Sequence, residues 1–307
     1  MPLRLHTLLV TLLLAATTLA TGCETIVDVD LPDSEPQLVV NDLFVADSTW
    51  RVYVGQSLSI QGQEGRTAPP VENATVEILT DGRVVDTLVF GGGSSKELYR
   101  SPDGHGPLVG QEYTVRASAP AFEETAEATS HAPAPVPFSV EQAESGRFDI
   151  DVTITDPEKR VNHYALFVYE RFTARGTSTT QTIAFTSASP LLRENTQAEL
   201  GEGGRTTYGR ALFSDATFQG QTRRVTIRLG GGATFAETRA AGAGGRKVFV
   251  ALASLSEENY EYQRTAQLQD EVSRNPFAEA VLVHSNVRGG LGIFAGSSRA
   301  VRPSPLP

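Results

Sequence analysis

Apolar and polar positions alternate with a period of two through much of the chain, the signature of half-buried strands. Leu38 to Val45 is a short apolar run; Trp50, Val52 and Val54 then alternate with Arg51 and Tyr53. Val76 and Ile78 flank Glu77, Asp81-Gly82 gives a hairpin signal, and Val84 to Phe90 returns as the partner strand. Tyr113 and Val115 mark another strand after a loop from Gly104 to Gly110. The cleanest alternation sets Phe148, Ile150, Val152 and Ile154 on one face against Asp149, Asp151 and Thr153, and Asp156-Pro157 ends it. His163 to Arg171 reads as a longer aromatic strand, Thr173 to Thr182 as a hairpin or mobile loop, and 187–210 as irregular. Val225, Ile227 and Leu229 alternate with arginine and threonine, Gly230 to Gly245 is small and flexible in character, and Val248 to Leu255 reads as a buried strand.

One helix is predicted, over about 256–273. Ser256 is a good N-cap, Glu257 and Glu258 suit the positive end of the helix dipole, and Asn275-Pro276 stops the run. The fold class is therefore mainly β, with two β-sandwich-like domains. Residues 38–130 form the first, immunoglobulin-like or prealbumin-like. His131-Ala-Pro-Ala-Pro-Val-Pro137, with prolines at alternate positions, reads as an extended linker over 131–137. Residues 138–307 form a second β-rich domain that carries the helix.

The N-terminus has a different grammar. Met1 to Thr7 carries Arg4, Leu8 to Leu14 is apolar apart from Thr11, and Ala15 to Gly22 is small and weakly polar. That order describes a secretory leader over 1–22, and its apolar run is about half the roughly 20 residues of a spanning helix. It ends Ala20-Thr21-Gly22-Cys23, which resembles a bacterial lipobox. Cys23 is the only cysteine, so an internal disulfide is excluded, and acylation by diacylglycerol accounts for a lone exported thiol. Two or three acyl chains on Cys23 would hold the protein firmly on a membrane. Residues 23–37 then read as a tether kept extended by Asp28, Asp30, Asp33, Glu35, Pro32 and Pro36.

Composition narrows the partners. The 307 residues are 40% hydrophobic, enough for packed cores, and the length suits two domains after the leader. The net charge of −10 becomes more negative when Arg4 leaves with the leader. An acidic chain repels phosphate backbones and anionic headgroups, so nucleic acid is not expected as a partner.

Both ends of the mature chain resemble a known family. After Cys23 the sequence reads Glu24-Thr25-Ile26-Val27-Asp28-Val29-Asp30-Leu31-Pro32, then Leu38-Val39-Val40. Near the C-terminus it reads Asn275-Pro276-Phe277-Ala278-Glu279, then Ser285-Asn286-Val287-Arg288-Gly289-Gly290-Leu291-Gly292-Ile293-Phe294. These stretches are similar to lipoproteins of Bacteroidota grouped as domain of unknown function 4249. Ala280 stands where proline is expected, and between about 172 and 245 no family motif is evident. The resemblance implies an outer-membrane lipoprotein, often encoded beside TonB-dependent transporters, and carries over no catalytic residues. The residues themselves suggest structural roles. Gly289, Gly290 and Gly292 permit positive φ or close backbone approach in a bulged turn that leads into an edge or closing strand. Asn275-Pro276-Phe277 would cap the helix and place a ring in the core.

Catalytic chemistry is sparsely supplied. There is no Gly-x-Ser-x-Gly and no His-Glu-x-x-His; His105, His131, His163 and His284 are scattered without metal-ligand spacing. Gly242 to Lys247 lacks the order of a phosphate loop. Asp149 and Asp151 share a strand face and are placed to share a cation, although a solvated face is the commoner reading. Asn73-Ala74-Thr75 matches an N-glycosylation pattern, and Asp86-Thr87-Leu88 an O-glycosylation pattern. Tyr99, Tyr164, Tyr169, Tyr208, Tyr260 and Tyr262 would stack on sugars if exposed, but core or rim packing is the more usual role. The expected function is a non-catalytic outer-membrane lipoprotein, lipidated at Cys23 and needing no cofactor or metal, that assists a TonB-dependent transporter or captures ligand for it. A surface adhesion or glycan-binding module is the alternative, and a hydrolase the remotest reading.

Overall fold

The structure is a computed structural model. It describes residues 35–58, 69–91, 97–157, 160–174, 177–193, 204–230, 247–273 and 278–305. Cys23, the leader, most of the tether, Asn275-Pro276-Phe277 and the glycine-rich 231–246 stretch lie outside them. The molecule is mainly β and β-sandwich-like, with two sheets and, among the described residues, one α-helix. No helix there is long and apolar enough to cross a membrane.

In the N-terminal half, β1 (Leu38–Val45), β2 (Arg51–Gln56), β3 (Thr75–Thr80), β4 (Arg83–Gly91), β5 (Leu98–Arg100), β6 (Glu112–Ser118) and β7 (Ala126–His131) follow in order. The turn joining β3 to β4 places Asp81 and Gly82 at φ 49° and 73°, which a two-residue type I′ hairpin requires. In the second half come β8 (Phe138–Gln142), β9 (Asp149–Thr155), β10 (His163–Ala174), β11 (Thr177–Ile183), β12 (Phe185–Ser187), β13 (Thr206–Tyr208), β14 (Arg210–Ser214), β15 (Thr222–Leu229) and β16 (Lys247–Leu255). Helix α1 (Glu257–Val272) and β17 (Leu291–Pro303) complete the chain. Residues 187–210, expected to be irregular, include β13, and Thr173 to Thr182 forms the β10–β11 hairpin.

Topology departs from chain order at several places, most sharply where the last strand meets the first. A twelve-stranded sheet runs β11-β10-β16-β17-β1-β2-β5-β4-β3-β6-β7, with β14 on β10, and a five-stranded sheet runs β13-β12-β15-β9-β8. The C-terminal β17 pairs parallel with β1, Val39 to Leu291 through Val45 to Ser297, and antiparallel with β16. β17 is therefore an interior strand, which sets aside the edge alternative and leaves the closing one. Gly289 and Gly292 adopt φ of 67° and 115°. A Cβ on Gly290 would lie 2.6 Å from the Leu38 carbonyl oxygen, so that stretch must stay bare for β17 to dock.

Two main hydrophobic clusters result, beside a smaller one of Ala165, Leu212, Ala253, Leu255 and Tyr260. One gathers Leu38, Val40, Phe44, Trp50, Val76, Ile78, Tyr99, Tyr113 and Val115 with Phe294 of β17. Phe44, Trp50, Tyr113 and Phe294 pack ring on ring, with centroids 4.7–5.9 Å apart. The other lies between the two sheets and gathers Ile150, Val152, Ile154, Leu166, Val168, Phe185, Val225, Ile227, Val250 and Leu252. The stretch 131–137 lies between them in sequence, with Ala132 and Val136 buried.

Candidate functional site

A groove lies at the start of α1. Its main chamber, about 430 Å³, is lined by Glu257, Glu258, Glu261 and residues His284 to Arg288. A smaller one of about 260 Å³ adds Glu127, Ala128 and Thr129 of β7 and shares Glu258, Asn286 and Arg288.

Local chemistry explains why these elements meet. β16 ends at Leu255, and Ser256 turns extended to cap α1, its Oγ accepting the Asn259 amide at 3.3 Å. Ser256 N–H and Asn259 Nδ2 both donate to the Gly296 carbonyl of β17, at 3.0 and 3.1 Å. Ser130 of β7 accepts the Gly296 N–H, and its hydroxyl lies 3.1 Å from Ser256 Oγ and 3.0 Å from Glu258 Oε2. This buried polar node fastens helix, β7 and β17 together, and it is satisfied by groups from all three.

The opposite wall comes from the family-like C-terminal stretch. It returns along the helix, with Val281 N–H on Gln269 Oε1 and His284 N–H on Thr265 Oγ1. Asn286 then acts as a surrogate strand residue: its Oδ1 accepts the Phe294 amide at 3.0 Å and its Nδ2 donates to the Phe294 carbonyl at 2.8 Å. Arg288 exchanges both backbone hydrogen bonds with Glu127. The motif thus seals β17 to β7, a structural role consistent with its glycines.

Charge sets what the groove can hold. Glu127 is paired with Arg116, and Glu261 with Arg264 at 2.7 Å. Glu257 and Glu258, which sit where the helix dipole favours carboxylates, share the lining with Arg288, so the groove carries both signs. His284 Nε2 is buried without a hydrogen-bond partner. The arrangement sets carboxylate acceptors beside a guanidinium donor.

Other polar residues singled out by the sequence resolve differently. Asp149 faces Arg228 across the β9–β15 ladder, and the guanidinium grips it through Nε–Oδ1 at 2.6 Å and Nη2–Oδ2 at 3.0 Å. These bonds, with a further one from Ser145, hold the Asp149 carboxyl below its ordinary range against the opposing cost of burial. Asp151 accepts from Thr226 at 2.6 Å, with Arg224 at 3.8 Å. The cations on this face are therefore arginines. Among the described residues no group of three histidine or acidic side chains is placed to hold a metal; His163 stacks on Tyr260 and His105 lies 3.8 Å from Asp86. Tyr99, Tyr164, Tyr169, Tyr208 and Tyr260 are buried, so they pack rather than present rings. Asp86 and Leu88 point inward, and Thr87 is exposed on β4.

Three buried acids take roles that the sequence reading did not assign. Asp156 accepts from Tyr164 Oη and from Gly220 N–H, while Asp215 accepts twice from Asn162; burial and the neighbouring Asp156 push the Asp215 carboxyl up. Asp42 sits between Val40 and Phe44 on the core face of β1, with Oδ2 unpartnered. Burial pushes its pKa up to about 8, and the Arg51 backbone amide and charge offset only part of that. Burial alternates from Leu38 through Phe44 and so puts Asp42 on the core face, which an apolar run in the sequence does not announce.

No curated protein matches the chain. Residues 24–302, most of its length, match a domain family defined by sequence alone, and so the chain belongs to the family described as Domain of unknown function (DUF4249).

Proposed function

We propose that the protein is a non-catalytic lipoprotein of the outer membrane, acylated on Cys23, that captures ligand for a TonB-dependent transporter or otherwise assists one. The observation that carries this reading is the position of the single cysteine. It follows a leader and Ala20-Thr21-Gly22, and the family match opens at the next residue, Glu24. The leader thus falls outside the family's extent, as expected of a segment removed before the protein works. From Cys23 to β1 the chain has about 15 residues, which reach about 50 Å when extended, enough to hold a folded body clear of a bilayer. The groove beside α1, lined by Glu257, Glu258 and Arg288, supplies a docking place for a polar group on ligand or partner.

Metabolic labelling with a palmitate analogue, followed by mass spectrometry of the N-terminal peptide, tests the anchor. Acyl chains on Cys23, and release of Cys23→Ser from the membrane fraction, are expected; a bare thiol on membrane-fraction protein would sink the proposal. Detergent pull-down tests the partner, and recovery without any β-barrel transporter would remove the transporter half of the reading.

A further inference from the structure

The strands β10, β14, β16 and β17 turn one face to the cluster between the two sheets and the other away from it. On β10, Tyr164, Leu166 and Val168 face the cluster, so alternation puts Phe167, Tyr169 and Arg171 on the opposite face. Cross-strand register sets Arg210 of β14 beside Phe167, and Lys247 and Phe249 of β16 beside Arg171 and Tyr169. Arg299 of β17, opposite Ala253, lies over the Phe167 ring at 4.7 Å. Arg171 lies over Phe249 at 5.2 Å, and Phe249 stacks on Tyr169 at 5.3 Å. Toward Ala165 the same face is covered by α1, whose Tyr260 stacks on His163.

Arg171, Arg210, Lys247 and Arg299 are all exposed. Among the described residues none of the four enters an ion pair, and no aspartate or glutamate of these strands shares their face. The whole-chain charge of −10 hides this local reversal of sign. The rings hold the arginine stems against the sheet while the guanidinium groups stay in water. Thr182, Thr180 and Ser178 of β11 continue the face beside Tyr169, Arg171 and Thr173 with hydroxyl groups. Such a face, with aromatic rings beneath guanidinium forks, suits phosphate groups spread over a surface.

We propose that this face rests on the headgroups of an anionic membrane, with its cations against lipid phosphates. Charge selects an anionic partner, and the choice of a membrane rests on the acyl anchor proposed above. Four exposed cations attract an anionic surface only weakly, at about millimolar strength. An anionic partner that diffuses freely would seldom occupy the face at lower concentration. A bilayer held through Cys23 is always within reach. Arg299 stands about 30 Å along β17 from the level of Leu38, inside the roughly 50 Å that the tether spans.

The test uses the mature chain with Cys23→Ser, which carries no acyl group, so the result is independent of whether the anchor exists. Co-sedimentation is measured with vesicles of phosphatidylcholine alone and of phosphatidylcholine with phosphatidylglycerol in equal parts. Binding to the anionic vesicles at millimolar lipid is expected, with loss at high salt and none to the neutral vesicles. Arg171→Gln with Arg299→Gln should weaken it at least about tenfold. Arg223→Gln with Arg224→Gln, which removes the same charge from β15 of the other sheet, should leave it unchanged. Thermal melts identify any pair that fails to fold, and Lys247→Gln, which breaks no ring contact, should then weaken binding by itself. No binding to anionic vesicles, equal binding to neutral ones, or equal losses from the two arginine pairs would each overturn the proposal. So would a chain that ignored vesicles and bound a soluble anionic polysaccharide instead.

Discussion

Asp42 shows how one residue can govern pH response. Its carboxyl is buried on the core face of β1 and ionises near 8 when folded, against 3.8 when free. The native chain therefore keeps a proton that the unfolded chain releases. The stability linked to this group is complete below about pH 4 and declines as the pH rises toward 8. At pH 7 the loss is about 4 kcal/mol, from about 1.4 kcal/mol per pKa unit. Asp42→Asn keeps an acceptor for the Arg51 amide and cannot ionise. It is expected to raise the urea midpoint at pH 7–8, to leave it nearly unchanged at pH 4, and to flatten the profile between; equal shifts at both pH values would contradict this account. Asp149 behaves in the opposite sense, because its folded pKa is depressed. It stabilises above its unfolded pKa and loses that contribution as the pH falls through the folded value. Arg228→Met leaves the buried Asp149 carboxylate with only Ser145 and the more distant Arg205, and should cost about 2–4 kcal/mol at pH 7, at the lower end because the guanidinium is half exposed. Thermal melts at pH 7 and pH 3 should show the deficit shrinking in acid.

At the scale of elements, β17 is the piece that depends most on its sequence. A Cβ on Gly292 would sit 2.1 Å from the Val40 carbonyl oxygen, and the residue adopts φ +115°. Gly292→Ala is therefore expected to cost roughly 3 kcal/mol or more and to speed hydrogen exchange in β1 and β17 together. Exchange that rose in only one of them would show that the strands open separately. Most local elements were legible from the chain itself, since β9, the β3–β4 hairpin and the Ser256 cap each follow from periodicity or turn chemistry within a few residues. The parallel partnership of β1 with β17 was not legible, because a pairing across some 250 residues leaves no trace in local alternation. The groove was hidden for the same reason. Glu257 and Glu258 were visible as helix-dipole partners, but Ser130, Glu127 and Arg288 reach them only through tertiary folding. The glycines near β17 did announce close backbone approach, without saying which strands would approach.

The whole molecule is held together by that same strand. Phe294 of β17 lies in the cluster built from β1 to β7, while Ala300 packs against the cluster between the two sheets. The two hydrophobic clusters therefore share a strand, and their stabilities are coupled through it. Loss of β17 would strip β1 of its seven-residue parallel partner and β16 of its antiparallel one, exposing backbone donors and acceptors on both. Asn286 would also lose the Phe294 backbone, and the Ser130–Ser256–Asn259 node would lose Gly296, so the groove would come apart with the sheet. A chain ending at Gly290 is expected to lose fixed tertiary structure in both halves, read as loss of near-ultraviolet circular dichroism from Trp50 and of protection in β9 and β15. The full chain should unfold in a single transition seen equally by Trp50 fluorescence and by exchange in the second cluster. Two separated transitions, or a truncated chain that kept native protection in the five-stranded sheet, would mean that the clusters are independent and that β17 merely bridges them.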